Sequence, residues 1–173
     1  VDVGTGSGCI ALALATELPQ AEIHACDVSD EALEMARVNA ARLGLGSRVL
    51  MRRSDLLAVY EDGMFDFVVS NPPYVGESEA DKVQKQVRDF EPKIAVFSGS
   101  EGMDVYRRLL PQAIEVLRPG GWFVTEIGFS IEDKTKQLLK QWEDVRTTAD
   151  LQGIPRVIAA RKPEAAAMKI ALP

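Results

Sequence analysis

Strand-like and helix-like segments alternate along almost the whole chain, and this alternation limits the possible folds more than any other feature. Short apolar runs suited to buried strands occupy residues 21–26, 48–53 and 65–70, while residues 9–18 and 32–40 carry apolar positions at helical spacing. Alternation of this kind is typical of a parallel sheet covered by helices. We therefore expect an α/β fold built on a mostly parallel sheet.

The last part of the chain predicts how this sheet ends. A strand is expected at 122–127, after a stop formed by the Arg-Pro-Gly-Gly segment at 118–121. Segments 145–149 and 156–161 can then pair as an antiparallel hairpin across Gly153. A seven-stranded sheet with a C-terminal antiparallel hairpin accommodates this order better than a six-stranded parallel sheet of the dinucleotide-binding type.

The sequence also predicts how the chain is organised. The first strand is barely present, because the chain reaches Gly4 after three residues, whereas a sheet strand has about five. We therefore expect the C-terminal part of a longer protein, with one domain at residues 1–162. Residues 75–102 are charged and interrupt the alternation, which favours a surface segment over the ligand crevice. Residues 163–173 lack a core pattern and are expected to be a flexible tail.

Composition and charge disfavour several classes of function. Hydrophobic residues make up 46% and charged residues 27% of the chain, as in soluble globular proteins, and no apolar run approaches the about 20 residues of a membrane helix. We expect a cytoplasmic monomer without membrane contact. The net charge of −6 disfavours a broad phosphate-binding face, so direct nucleic-acid binding is not expected. Cys9 and Cys26 lie in apolar stretches, which indicates small core residues rather than a disulfide or a metal site.

A glycine-rich loop joins the first strand to the first helix. It reads Asp2-Val3-Gly4-Thr5-Gly6-Ser7-Gly8, and its glycines let a ligand approach the main chain closely. NAD- and FAD-binding folds use the spacing G-x-G-x-x-G at this turn, whereas the spacing here is G-x-G-x-G, with an acidic residue two positions before the first glycine. This form suits S-adenosylmethionine, whose amino-acid end has no pyrophosphate. Asp2 would attract its ammonium group, and the loop amides would meet its carboxylate.

Acidic residues also follow the next two strands. Asp27 ends the second strand, where a carboxylate can accept hydrogen bonds from both ribose hydroxyls of either nucleoside cofactor. Asp55 follows the third strand, where it can accept from an adenine amino group while Leu56 packs on the ring. Taken alone, Asp55 is equally consistent with a turn aspartate, and its place in the series favours binding. The predicted cofactor-binding residues are Asp2, Gly4, Thr5, Gly6, Ser7, Gly8, Asp27, Asp55, Leu56 and Asn71.

The turn after the fourth strand is the most informative feature for function. Asn71-Pro72-Pro73-Tyr74 follows the apolar run at 65–70, and a polar side chain at this point of a doubly wound sheet lies in the ligand crevice. The prolines remove two donors but keep their carbonyl acceptors. With the Asn71 carbonyl and the Tyr74 ring, the turn suits a flat group that bears an NH2. Asn71, Pro72 and Tyr74 are therefore the predicted catalytic residues, and Asn71, Pro72, Pro73 and Tyr74 the predicted substrate-binding residues.

Together these motifs resemble the HemK/PrmC family of protein-glutamine methyltransferases, from residue 1 to about residue 162. Two further segments are more specific to that family. They are Phe90-Glu91-Pro92 with Ala95 and the turn from Gly99 to Gly102 before Tyr106-Arg107-Arg108, and Asp150-Leu151-Gln152-Gly153-Ile154-Pro155-Arg156. One departure is Ile131, which stands where family members often carry a glutamine after a Glu-x-Gly segment, here Glu126-Ile127-Gly128.

The resemblance implies a fold, a reaction and a partner. The fold would be that of a Rossmann-like class I S-adenosylmethionine-dependent methyltransferase, without a metal. The reaction would transfer a methyl group to the side-chain amide nitrogen of a glutamine in a peptide chain release factor, the protein partner. Family members begin with a helical domain that helps to hold the release factor, and we expect such a domain to precede this chain.

Three other functions stay open at this point. A methyltransferase acting on an exocyclic amino group of RNA or DNA would use the same turn, although the acidic net charge disfavours it, and its affinity should fall steeply with salt. A non-catalytic S-adenosylmethionine-binding scaffold would have no use for Asn71 and Tyr74. An NAD-dependent oxidoreductase is disfavoured by the glycine spacing and by the lack of a candidate acid for hydride transfer.

Overall fold

The computed structural model of the chain describes residues 1–82, 85 and 92–164. Within these residues, the strands are β1 (Asp2–Val3), β2 (Ile23–Asp27), β3 (Val49–Arg53), β4 (Phe65–Ser70), β5 (Leu117–Glu126), β6 (Glu143–Ala149) and β7 (Pro155–Arg161). The helices are α1 (Cys9–Glu17), α2 (Asp30–Arg42), α3 (Lys93–Val96), α4 (Asp104–Val116) and α5 (Glu132–Leu138), with 3₁₀ segments at Glu77–Lys82 and Phe129–Ile131. No helix in the described part of the chain is long and apolar enough to cross a membrane.

The strands form one seven-stranded sheet in the order β3-β2-β1-β4-β5-β7-β6. The pairs from β3 to β5 are parallel, and β7 runs antiparallel to both β5 and β6. The predicted fold class is therefore confirmed, including the final hairpin. β1 pairs with β2 on one side and with β4 on the other, so the strand order reverses there, and ligands bind at this point of open α/β sheets.

Apolar side chains cover both faces of the sheet. Ala25 and Cys26 are consecutive residues of β2, both fully buried, and they belong to different apolar clusters. Successive side chains of a strand point to opposite faces, so one cluster lies on each face. One contains the buried residues of α1, and the other contains those of α4. Burial on both sides explains why β2 exposes no residue from Ile23 to Cys26.

Helix α2 shows how the local sequence sets an element boundary. The Ser29 hydroxyl accepts a hydrogen bond from the Ala32 amide at 3.1 Å, which caps the helix. Asp30 and Glu31 lie in the first turn, where negative charge is favourable to the helix dipole.

Two expectations about the core and the strands are wrong. Cys9 is exposed, because it lies in the first turn of α1 on the opposite side from the buried Ala11, Leu12 and Ala15; Cys26 is buried as expected. The predicted stop at 118–121 lies inside β5 and forms an irregularity in it, since Phe65 pairs with Leu117 and Phe67 with Trp122. The Gly120 amide, at a φ of 75°, donates to the Lys162 carbonyl at 3.0 Å, which keeps this irregular segment attached to the chain after β7.

The segment at 75–102 is only partly the surface segment that the sequence predicts. Val75 forms a parallel bridge with Phe97, and the Ser98 amide donates to the Val75 carbonyl at 2.9 Å. Val96 and Ser98 are buried, so the described end of the segment packs into the protein. Phe90 and Glu91 and most of the predicted tail lie outside the described residues.

Candidate functional site

The glycine loop leaves open space beside its backbone. Gly4, Gly6 and Gly8 have φ values of 68°, 54° and 86°, a conformation that favours glycine. A Cβ atom built on Gly4 or Gly6 would meet no described atom within 4 Å, whereas one on Gly8 would lie 3.1 Å from the Cβ of Ala36. Gly8 therefore lets α1 and α2 pack closely, while the first two glycines leave a cradle for a ligand.

Asp2 is a buried carboxylate at the start of this loop, with 1% of its surface exposed. Its Oδ2 accepts hydrogen bonds from the Thr5 hydroxyl at 2.6 Å and the Ala11 amide at 3.1 Å. Its Oδ1 is buried without a hydrogen-bond partner among the described residues. Burial raises the pKa of Asp2, and the bonds from Thr5 and Ala11 partly oppose that rise. One buried acceptor therefore remains for a cationic donor.

Asp27 connects the end of β2 to the glycine loop. Its Oδ2 accepts from the Gly6 amide at 2.9 Å, and its Oδ1 accepts from the Ser29 amide at 3.0 Å. The carboxylate is half-buried, so further donors can reach it. The structure thus brings together two of the predicted cofactor-binding features, and the predicted contact of Asp27 with a ribose stays a prediction.

Asp55 and Leu56 follow β3 at the same edge of the sheet. The Asp55 carboxylate pairs with Arg108 of α4 at 2.5 Å, with 59% and 55% of the two side chains exposed. Leu56 has a φ of 55°, and its carbonyl accepts from the Cys26 thiol at 3.2 Å. No sequence pattern identified Arg108 as a partner of Asp55. An adenine amino group would have to share or replace this exposed ion pair.

The turn from Asn71 to Tyr74 lies beside the glycine loop. Ser70, the last residue of β4, pairs with Val3, and its hydroxyl donates to the Val3 carbonyl at 2.8 Å. The residues that follow these two strands therefore begin side by side. Asn71 is exposed and Pro72 is buried, so the asparagine is accessible from the crevice while the turn itself is anchored.

Tyr74 is held from several directions. Its hydroxyl donates to Oε1 of Glu126 at 3.1 Å. A Cβ atom on Gly128 would lie 2.7 Å from Cδ2 of the Tyr74 ring, and one on Gly102 would lie 2.2 Å from the Tyr74 carbonyl oxygen. Both glycines are therefore needed for the close approach of the tyrosine. Gly102 belongs to the turn noted in the sequence, and Gly128 to the Glu-x-Gly segment.

Polar contacts of Tyr106 and Arg156 lie near the pair formed by Tyr74 and Glu126. The Tyr106 hydroxyl donates to the Glu126 carbonyl at 2.5 Å. Arg156 of β7 forms an ion pair with Asp150 at 3.0 Å, which raises the pKa of Arg156, with a smaller contribution from the charge of Glu126. No sequence pattern assigned a role to Glu126, Tyr106 or Arg156. The signal was available for Glu126, because it ends β5 just as Asp27 ends β2.

The geometry thus joins an open glycine loop, a buried acid and an exposed asparagine at the switch point of the sheet. Together with the strand order, this arrangement defines a Rossmann-like class I methyltransferase. The chain belongs to the methyltransferase small domain family, which matches residues 1–89. In the described part of the chain, no group of three or more His, Cys, Asp and Glu side chains could hold a metal ion.

Curated relatives are release factor glutamine methyltransferases. The protein of this name from Koribacter versatilis is 56% identical over 94% of this chain and 58% of its own length. The one from Geobacter sulfurreducens is 39% identical over 93% of this chain and 57% of its own length. The resemblance to the HemK/PrmC family is thereby confirmed. The chain spans less than three fifths of the length of these relatives.

Solved structures share the fold at lower identity. The ribosomal protein L11 methylase from Lactobacillus delbrueckii subsp. bulgaricus matches with a TM-score of 0.65 and 25% identity, over 94% of this chain and 68% of that one. The hMettl16 catalytic domain in complex with an MAT2A 3′UTR hairpin matches with a TM-score of 0.69 and 19% identity, over 92% of this chain and 62% of that one. The second likeness concerns the fold alone.

Proposed function

We propose that this chain carries out the methylation step of a release factor glutamine methyltransferase. It would transfer a methyl group from S-adenosylmethionine to the side-chain amide nitrogen of a glutamine in a peptide chain release factor. Residues 1–162 form the catalytic domain in this proposal, acting in the cytoplasm as a monomer. The observation that carries it is the exposed Asn71 at the end of β4, next to the glycine loop on β1, in a chain 56% identical to a relative of that name.

The residues around the glycine loop fit S-adenosylmethionine. The buried Oδ1 of Asp2, which has no hydrogen-bond partner in the described ranges, suits an ammonium group. The open space beside Gly4 and Gly6 admits an amino-acid end next to the loop amides. Asp27, already bonded to the Gly6 amide, would accept from ribose hydroxyls. When bound, the cofactor supplies an electrophilic methyl group on a sulfonium.

Asn71 and Pro72 would orient the glutamine side chain. An amide nitrogen is a poor nucleophile, because its lone pair is delocalised into the carbonyl. The Asn71 side-chain oxygen and the Pro72 carbonyl would accept the two NH2 hydrogens and hold the nitrogen in line with the methyl group, and orientation of this kind contributes several kcal/mol. The same oxygens would stabilise the positive charge that develops on the nitrogen.

The proton leaves after methyl transfer, so the proposal requires no general base. Once methylated, the protonated amide nitrogen is strongly acidic and would lose its proton to water. Tyr74 would cover the plane of the amide, and Pro73 would shape the pocket beside it. Neither role needs a titrating side chain, and none is assigned.

A labelled-methyl transfer experiment tests this proposal. Purified chain and tritiated S-adenosylmethionine are incubated with a release factor, with the same factor carrying glutamine-to-alanine at its methylation site, and with bulk RNA. The full-length Koribacter protein serves as a positive control for the release factor preparation. We expect label on the intact factor alone.

Two other outcomes would contradict it. Label on RNA alone, falling steeply with salt, would assign the chain to the amino-group methyltransferases of nucleic acids. Cofactor binding by calorimetry without label on either substrate, while the Koribacter control is active, would show that this chain alone does not perform the step.

A further inference from the structure

We propose that Glu126 is a positioning residue that fixes the orientation of Tyr74 in the pocket for the target glutamine. This inference rests on the proposed function, because it assumes that the Tyr74 ring contacts the target amide. The contact that carries it is the hydrogen bond from the Tyr74 hydroxyl to Oε1 of Glu126 at 3.1 Å. It joins residues 52 positions apart and links the turn after β4 to the end of β5.

The Tyr74 ring is confined at both ends by this arrangement. The hydroxyl is bonded to Glu126, and the edge of the ring lies against the backbone of Gly128, where a Cβ atom would come within 2.7 Å of Cδ2. A tyrosine ring can rotate about two side-chain torsions. The hydrogen bond at the hydroxyl and the Gly128 backbone beside the ring together restrict both torsions.

Glu126 can act in this way because its own backbone is fixed. Its carbonyl accepts from the fully buried Tyr106 hydroxyl at 2.5 Å and from the Thr125 hydroxyl at 3.0 Å. The next residue, Ile127, donates its amide to the Arg156 carbonyl at 2.8 Å and is itself fully buried. The carboxylate therefore extends from a rigid strand end rather than from a loop.

Arg156 supplies a positive charge near this carboxylate. Its guanidinium is held by Asp150 at 3.0 Å, and the Asp150 carboxylate also accepts from the Gln152 and Ile154 amides. The negative charge of Glu126 helps to raise the pKa of Arg156, so these two groups lie within electrostatic range of each other. The hairpin turn between β6 and β7 thus contributes to the environment of the pair.

A double-mutant cycle in the methyl-transfer assay tests the coupling. Glu126→Ala and Tyr74→Phe each remove one end of the hydrogen bond, and we expect each to lower kcat by about 10- to 100-fold with little change in the Kd of S-adenosylmethionine. The double variant should be no slower than the slower single variant, since both changes remove the same interaction. Glu126→Gln keeps an acceptor oxygen and should restore most of the activity. Losses that multiply in the double variant would overturn the proposal.

A spectroscopic readout tests the same coupling without any substrate. The chain has three tyrosines, so ring-labelled tyrosine gives three sets of NMR signals, and Tyr74→Phe assigns one set to Tyr74. Glu126→Ala should shift that set, while Glu143→Ala should not, because Glu143 pairs with Arg161 at the other end of the hairpin strands. An unchanged Tyr74 signal in Glu126→Ala would overturn the positioning role. If the release factor is not methylated while the signal shifts, the proposed function fails and the coupling stands.

Discussion

The candidate site has two halves that are assembled in different ways. The glycine-loop half consists of residues 2–8 and Asp27, and the Tyr74 half consists of residues 71–74 and Glu126. In the glycine-loop half, the hydrogen bonds to the Asp2 and Asp27 carboxylates join residues close in sequence: Thr5 and Asp2 are 3 positions apart, Ala11 and Asp2 are 9 apart, and Gly6 and Asp27 are 21 apart. In the Tyr74 half, the hydrogen bond that holds the ring and the backbone bond beside Glu126 span longer distances along the chain. Tyr74 and Glu126 are 52 positions apart, and the Ile127 amide bonds to the carbonyl of Arg156 in the last strand.

This difference predicts that binding of the cofactor and methylation of the target glutamine depend on different parts of the chain. The hydrogen bonds to Asp2 and Asp27 need only β1, β2, the first turn of α1 and the short connections between these elements. The second half needs the register of β5 against β7, where Glu126 pairs with Val157, as well as the turn after β4. Changes in the second half should therefore impair turnover while cofactor binding persists, and changes in the first half should act mainly on cofactor affinity.

The largest effect is expected for Asn71→Ala, which removes the exposed side-chain amide oxygen of the Tyr74 half. We expect kcat for methyl transfer to fall by about 10²- to 10³-fold, since one preorganised group at the reacting atom is lost. The Kd of S-adenosylmethionine, measured by calorimetry, should stay within a few fold. Asn39→Ala is a matched asparagine-to-alanine control. Asn39 donates to the Ser7 carbonyl of the glycine-loop half at 2.9 Å, so its loss should act on cofactor affinity rather than on kcat. Near-normal turnover of Asn71→Ala would remove Asn71 from the mechanism.

Gly102→Ala should have the next largest effect, and it acts on stability. Gly102 has a φ of 75°, and an added Cβ would lie 2.2 Å from the Tyr74 carbonyl oxygen. The left-handed conformation and the steric clash together should lower the free energy of unfolding by about 2–4 kcal/mol. Chemical denaturation followed by circular dichroism measures this change.

Gly153→Ala provides the comparison for that measurement. Gly153 has a φ of 80°, yet an added Cβ would meet no atom of the described chain within 4 Å. Only the conformational cost of about 1–2 kcal/mol should remain. Equal destabilisation of the two variants would show that the close approach of Gly102 to Tyr74 contributes nothing to stability.

Asp27→Ala tests the glycine-loop half. The change removes the acceptor of the Gly6 amide and the predicted acceptor of the ribose hydroxyls. We expect the Kd of S-adenosylmethionine to rise by about 10- to 100-fold, the usual range for hydrogen bonds to a charged group. Asp30→Ala, which removes an exposed partner of Arg53, should leave the Kd unchanged. A Kd unaffected by Asp27→Ala would contradict the ribose contact.

The same contrast explains how much the sequence could predict. The glycine spacing, Asp27 and the Asn71 turn are visible because each directly follows a strand, and the rule for parallel sheets places such residues at one edge. The irregularity at 118–121 was not predictable, because Pro and Gly mark a turn equally well when the strand continues past them. The Arg108 pair with Asp55 and the Glu126 pair with Tyr74 depend on the packing of α4 and on the register of β5, which no local pattern encodes.

The smallest effect is expected for Asp2→Asn. This change distinguishes the stability lost by burying a charge from the contribution of that charge to cofactor binding. Burial raises the pKa of Asp2 above its ordinary value of 3.8, so the folded chain binds this proton more tightly than the unfolded chain. The stability of the free protein should therefore fall as the pH rises from 3.8 through the raised pKa, and should then level off. An asparagine does not titrate, so the variant should not lose stability in this window and should be more stable than the parent above it.

Cofactor binding should show the opposite preference. An ammonium group beside Asp2 favours the ionised carboxylate, so binding of S-adenosylmethionine near the raised pKa should release a proton, and the Asp2→Asn variant should bind more weakly without that release. Calorimetry in two buffers of different ionisation enthalpy measures the proton count, and urea denaturation across the same pH range measures the stability difference. Parallel stability curves for the parent and the variant would show that burial imposes no cost on Asp2. A variant that is more stable but binds the cofactor more weakly would show that the buried carboxylate contributes to cofactor binding and lowers the stability of the free protein.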